Sequence, residues 1–332
     1  MEEKSETPTD RAGRRSGRKQ LLDVEGQIAS LRDRGVRFVR CKEADAGRYL
    51  SEISNLLHVS AYRSLFQRHS DGPSAGKFVD LDFADLVALD CLDCKLRSAF
   101  MDATLVVEAR ARTRLLLRMT QVGEDGYSVV SEFLASLDPS FRRGLMRELD
   151  RRRDGHDCYT GDLIDKYYED MPAWVLVEVI PFGALLSFYR FCALRWDDRA
   201  MLDEHYLLKQ AKALRNACAH GSCIVDGFRP GVVSSVRTSL LVLSALTSSG
   251  ISNSKSRRAK LSNPRMQQLV TTLYVLHMFA RGTAPREVGD ALRSLSAELR
   301  ATAEGYGPQN PFVSYLSFLA RVIDLWFPQV AK

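Results

Sequence analysis

The sequence has no apolar stretch as long as a membrane span that is free of both charge and proline. The longest, WVLVEVIPFGALLSFYRFCAL at residues 174–194, contains Glu178, Pro181 and Arg190. A membrane-crossing helix needs about 20 consecutive, mostly apolar residues, so this stretch predicts buried structure and no membrane partner. Residues 1–20 carry charge and no apolar core of a secretory leader, so none is expected. Seven cysteines, an odd number scattered through a long chain, suit a reducing cytoplasm better than a disulfide framework. A glycine-rich phosphate loop, a Gly-x-Ser-x-Gly elbow and a His-Glu-x-x-His pair are all missing, which removes three large enzyme classes. Convincing strand runs and internal repeats are missing too, and no Asp-Gly pair joins two strand-like runs. That leaves an all-α fold with loops of short to moderate length.

Apolar residues make up 45% of the 332, enough for a globular chain with a full core. The net charge of +6 is unevenly placed. RAGRRSGRKQ (11–20) has five basic residues and ISNSKSRRAK (251–260) has four, with no acid in either. Without those nine, 38 basic residues face 41 acidic ones. The positive charge therefore sits in a tail and in a segment that reads as a linker. Arg14, Arg15, Arg18 and Lys19, with Lys255, Arg257, Arg258 and Lys260, are candidate RNA-phosphate contacts, against the alternative of plain solvated segments.

The dominant period is helical. Phe83, Leu86, Leu89, Leu92, Leu96, Phe100, Ala103, Val107 and Ala111 recur at steps of three and four and mark one face of a long helix over 83–119. Asp82 is placed to cap it and Gly123 follows its end. Glu108 and Arg112 stand four apart, acid first, the favourable order for an intrahelical pair. They are also candidates for a supporting role at a site, though the structural pair is the preferred reading. Further helices are expected over 128–152, 163–170, 173–195, 204–220 and 231–248, the last with strand as an alternative. A basic linker should occupy 247–262. Asn263–Pro264 then opens a helix to about 281, and two more cover 285–303 and 311–326.

The segment LRNACAHG at 214–221 is the candidate for chemistry, against the alternative that its polar residues only cap the helix or make a dimer contact. On a helix, Leu207, Ala211, Leu214 and Cys218 form the buried stripe. Asn216 and His220 share the opposite face, and Arg215 lies on the flank between. Gly221 marks the helix end. A histidine with an ordinary pKa of about 6.5 exchanges a proton near neutrality. A guanidinium holds a phosphate and stabilises the charge that builds during its transfer. RNA supplies its own nucleophile, the 2′-hydroxyl, so the chemistry calls for no cofactor and no metal. A two-fold dimer would double the single histidine and arginine.

Other candidates read as structural. Cys91 and Cys94 lie inside the long helix and are expected to pack in the core. His156, Cys158, Asp154, Asp157 and Asp162 fit turn chemistry. His58, His69, His205 and His277 stand singly.

Four segments, in this order, resemble the Abi-like family of bacterial abortive-infection proteins, within the HEPN superfamily. YLSEISNLLHVSAYRSLF carries Tyr62. The long helix carries Asp93, Leu96–Arg97 and Glu108 with Arg112. PAWVLVEVIPFGALLSFY carries Trp174, Glu178, Phe182, Gly183 and Ser187, and LRNACAH closes the set. The resemblance covers roughly residues 40 to 225. It implies a HEPN helical bundle over 21–230, preceded by a disordered basic tail (1–20) and followed by a C-terminal helical region (231–332). It also implies an Arg-x4-His site that cleaves RNA without a metal, with Arg215 and His220 as the catalytic pair and Asn216 orienting them. Members of the superfamily commonly dimerise. Related motifs occur in toxin–antitoxin nucleases and RNA-guided effectors, so an antitoxin or a guide or other non-coding RNA is a candidate partner. Ser222 stands where some HEPN toxins carry a tyrosine that the antitoxin modifies, so that control is not expected. His58 and the leucines at 56 and 57 also depart from the family's early segment. The function this implies is an anti-phage ribonuclease. The alternatives are an RNA-binding module or sensor subunit that does not cleave and, more weakly, a structural dimer subunit.

Overall fold

The computed structural model describes residues 21–280 and 285–329. The expected tail, with Arg14, Arg15, Arg18 and Lys19, lies outside the described residues. Among the described residues there are fifteen α-helices and no strand, as the periodicity predicted. The chain divides into two compact units, residues up to Ala88 and residues from Leu89 onward.

In the first unit, α1 (Val24–Asp33) starts where the Asp23 carboxylate accepts the Gly26 N–H at 2.8 Å. It packs on α2 (Glu43–Glu52). Asn55 caps the short α3 (Leu56–Ala61) by accepting the His58 N–H, and a 3-10 turn at Tyr62–Leu65 buries Tyr62 and Leu65. The Asp82 carboxylate accepts the backbone N–H groups of Val39, Arg40 and Ala84. It thus serves the start of α4 (Phe83–Val122) and the loop beside it.

The second unit holds most of α4, whose residues Leu89, Leu92, Leu96, Phe100, Ala103, Val107 and Ala111 are all buried. Gly123 takes a positive φ of 69° where the helix stops. The region expected as one helix over 128–152 is two, α5 (Ser128–Ser136) and α6 (Pro139–Asp154). The break is chemical: Asp138 accepts the N–H groups of Ser140 and Phe141, and Pro139 has no N–H to continue α5. After α7 (Gly161–Tyr167), the apolar stretch is likewise split into α8 (Ala173–Val179) and α9 (Phe182–Arg195). Ile180, just before Pro181, is extended at ψ 147°, as a residue preceding proline prefers.

The helix α10 (Arg199–Ala219) begins where Asp198 accepts the Met201 N–H, and it packs against α9 and α13 (Pro264–Ala280). Its stripe Leu207, Ala211, Leu214 and Cys218 is buried as expected. The segment 231–248 is helical only from Leu240, in α11 (Leu240–Ser248), where Ser239 caps. The linker expected at 247–262 contains a helix, α12 (Lys255–Ser262), started by Ser254 accepting the Arg257 N–H. Asn263 caps α13 as predicted, its side-chain oxygen accepting from Arg265 and Met266. Finally α14 (Arg286–Tyr306) packs along α15 (Val313–Trp326). No helix among the described residues is long and apolar enough to cross a membrane.

Candidate functional site

The functional stretch of α10 is held in place by two buried carboxylates. Glu204, near the helix start, accepts the Tyr189 hydroxyl at 2.5 Å and Arg114 Nη2 at 2.6 Å, and Arg118 also reaches it. Arg118 pairs with the capping Asp198 as well. One carboxylate therefore joins α4, α9 and α10. Burial, followed by the Glu204 charge, pushes the Tyr189 phenol far up, so it stays a donor to Glu204.

The other end is fixed by Asp93, which is fully buried. It pairs with Arg97 one turn along α4 and accepts the backbone N–H groups of Ile224 at 3.1 Å and Val225 at 2.8 Å. The chain that leaves α10 is thereby pinned to α4. Between these anchors, Gly221 takes a φ of +63° and ends the helix, as its sequence position predicted. His220 is the capping residue: its backbone N–H donates to the Asn216 carbonyl, and the N–H of Gly221 donates to that of Cys218.

The side chains of Arg215 and Asn216 are half-buried and that of His220 is exposed. Arg215 Nε is shut off from solvent with no hydrogen-bond partner. Cys218, by contrast, is a packing residue: burial, then the Asp93 charge, pushes its thiol up to about 11, and it stays protonated near neutral pH.

Two adjoining cavities run along this face. One, of about 760 Å³, is lined by α6, by the start of α9, and by Lys212, Arg215 and Asn216. The other, of about 1090 Å³, is lined by α5, α9 and α10, including Arg190, His205, Lys209, Lys212 and Asn216. Gly183, Lys212 and Asn216 line both, so the two form one groove. A side chain at Gly183 would meet the Lys212 amine at 3.2 Å, which accounts for glycine there. His220 lines neither cavity. It does continue the row Lys209, Lys212 and Asn216 along α10 by one more step of four.

The charges lining the groove divide into two sets. Arg195 is held by Glu124 and Glu132, Asp138 caps α6, and Glu148 pairs with Arg151. Arg190, Lys209, Lys212 and Arg215 have no such partner among the described residues. His205 is 6% exposed, and its Nδ1 has no partner. Burial first, then the nearby Lys209 charge, lowers its pKa to about 4, so the ring is neutral at physiological pH.

The remaining sequence candidates fall elsewhere. Glu108 and Arg112 form the expected i,i+4 pair at 2.6 Å, with Glu108 buried, and line neither cavity. Lys255 and Arg258 are exposed on α12. Arg257 is 4% exposed and turned inward, donating to Ile251 O at 2.8 Å and Thr247 Oγ1 at 2.9 Å, so its guanidinium serves the fold. Lys260 donates to Ser256 and lies over the Tyr315 and Phe318 rings. Cys91 and Cys94, expected in the core, are exposed, because they fall beside the apolar stripe of α4 rather than on it. The loop over 154–162 is turn chemistry as expected: His156 has a φ of +47°, and Asp157 accepts from the Thr160 N–H and hydroxyl. Sequence reasoning missed Arg190, Lys209 and Lys212. Each is an ordinary exposed base until the helices that pair or fail to pair it are known.

Residues 48–226, more than half of the chain, match the family described as Abi-like protein. No curated protein and no solved structure matches the chain.

Proposed function

The chain belongs to the Abi-like protein family, and on that premise we propose that it is an abortive-infection effector that cleaves RNA, with Arg215, Asn216 and His220 at its site. The supporting observation is a guanidinium and an amide, without partners among the described residues, lining a basic groove, with an exposed histidine one helical turn further along the same helix. In this reading Arg215 holds the scissile phosphate and stabilises the transition-state charge. Asn216 orients the phosphate or the attacking group. His220 exchanges protons with the 2′-hydroxyl and the leaving 5′-oxygen, and the hydroxyl attacks the phosphorus to give a 2′,3′-cyclic phosphate. One His220 is half of an acid–base pair. A homodimer of the HEPN kind would bring a second to the other side of the bond.

Lys255, Arg258 and Lys260 remain proposed RNA contacts; Arg257 drops from that set because it is bonded inside the protein. A second reading, an RNA-binding module that does not cleave, is favoured by one observation: His220 lines neither cavity.

The two readings separate when purified protein is incubated with RNA in excess chelator and the product ends are mapped. Cleavage that leaves 2′,3′-cyclic phosphates is expected. Activity that is lost in chelator and restored by magnesium contradicts the mechanism, and intact RNA that is nonetheless bound favours the second reading. A strictly monomeric protein cleaving at full rate would contradict the paired arrangement.

A further inference from the structure

We propose that the groove between α6, α9 and α10 is a channel for single-stranded RNA, in which Arg190, Lys209 and Lys212 hold the backbone and Phe141 stacks a base. The assignment takes its nucleic acid from the ribonuclease reading; the channel itself follows from charge, shape and exposed aromatic surface.

Charge comes first. Every acid lining the groove already has a role: Glu132 holds Arg195, Asp138 caps α6 and Glu148 pairs with Arg151. The cations Arg190, Lys209 and Lys212 line the groove with no ion pair or hydrogen bond among the described residues. Three unneutralised cations converging on one cleft repel one another, and an anionic ligand removes that repulsion. The low pKa of His205 has the same origin in part, since Lys209 and Arg190 both act on it.

Shape comes second. Lys209, Lys212, Asn216 and His220 follow one face of α10, and eleven residues of helix extend about 16 Å. That suits an extended ligand with repeated charge, a few nucleotides long, better than a compact anion. Single-strand-binding folds engage about 4 nucleotides or more.

Third, Phe141 on α6 lines the smaller cavity together with Arg215 and Asn216, yet it is 43% exposed. A half-exposed ring beside unpaired cations is the combination that binds single strands without sequence preference: base faces stack and phosphates pair. A duplex hides its base faces and has no use for the ring. Arg215 and Asn216 line the groove and His220 stands one helical turn past Asn216, so a strand seated in it would meet residues proposed to cut it.

The test uses the full chain and a 2′-O-methylated single-stranded oligonucleotide, which lacks the nucleophile and so reports binding alone. Its affinity is measured across a salt series for wild type, for a triple variant (Arg190→Ala, Lys209→Ala and Lys212→Ala) and for Phe141→Ala, with melting curves to confirm folding. The triple variant should bind at least tenfold more weakly, with a salt slope shallower by about 2, from about 0.7 per lost phosphate contact on a single strand. Phe141→Ala should weaken binding roughly fivefold or more. A duplex of the same sequence should compete poorly. No binding by wild type, or unchanged affinity and slope in the folded triple variant, overturns the channel whatever the enzyme does to natural RNA. Equal competition by the duplex overturns the single-strand assignment. Loss of binding in the variants, beside a wild type that leaves natural RNA intact, keeps the channel and removes the ribonuclease.

Discussion

The two halves of α10 carry their charged and polar residues in opposite states. In the first half, Asp198 and Glu204 are matched: Asp198 caps the helix and pairs with Arg118, and Glu204 takes Arg114, Arg118 and the Tyr189 hydroxyl. In the second half, Lys209, Lys212, Arg215, Asn216 and His220 carry charge and polarity that the described residues leave unmatched. A charge already satisfied inside the protein holds helices together. A charge left unsatisfied at a groove is available to a ligand. On the proposed function the helix is architecture at one end and chemistry at the other, and substitutions in the two halves should fail in different ways.

The largest effect is expected from Glu204→Ala. It strands Arg114 and the buried Tyr189 hydroxyl and leaves Arg118 with Asp198 alone, and breaking such a network by removing one partner costs about 3–5 kcal/mol. In a unit of this size that is roughly 10 °C in Tm. Thermal melting checks it. A Tm unchanged by Glu204→Ala would break the comparison, because the first half would then not be the structural one.

A smaller effect is expected where the halves meet, at His205. Its pKa of about 4 in the folded chain lies below the unfolded value of about 6.5. The unfolded chain therefore binds a proton before the folded one does. Stability from keeping the ring neutral is complete above pH 6.5 and is lost as pH falls toward 4, by on the order of 3 kcal/mol. Denaturant titrations at pH 7, 5.5 and 4 should show the loss in wild type and a shallower one in His205→Leu. Parallel curves would mean that His205 titrates normally.

Much of this helix was legible in the sequence. The stripe Leu207, Ala211, Leu214 and Cys218, the stop at Gly221 and the outward face of Asn216 and His220 all follow from the 3.6-residue period and glycine's tolerance of positive φ. The same logic placed the buried face of α4 and the Asn263–Pro264 start of α13. It missed the breaks at Asp138–Pro139 and Pro181, where apolar periodicity was allowed to run through a proline. It also read 255–262 as linker, because a run of basic residues outweighed the Ser254 cap. Cys91 and Cys94 were placed in the core although they stand off the stripe of α4. Partnership was beyond its reach. Whether Arg195, Arg257 or Arg190 is spoken for depends on Glu124 and Glu132, on Thr247 and Ile251, or on nothing nearby. Those are questions of packing between helices far apart in sequence. The groove, lined by four such helices, was invisible for the same reason.

The most direct test of the second half as the chemical end is the initial rate of RNA cleavage by His220→Ala, measured in chelator beside wild type. His220 is exposed and caps the helix through its backbone, so its side chain carries no part of the fold. The account predicts a rate lower by on the order of 10²-fold or more, comparable to about 2.7 kcal/mol of transition-state stabilisation, at an unchanged Tm. A variant that cleaves as fast as wild type would contradict it.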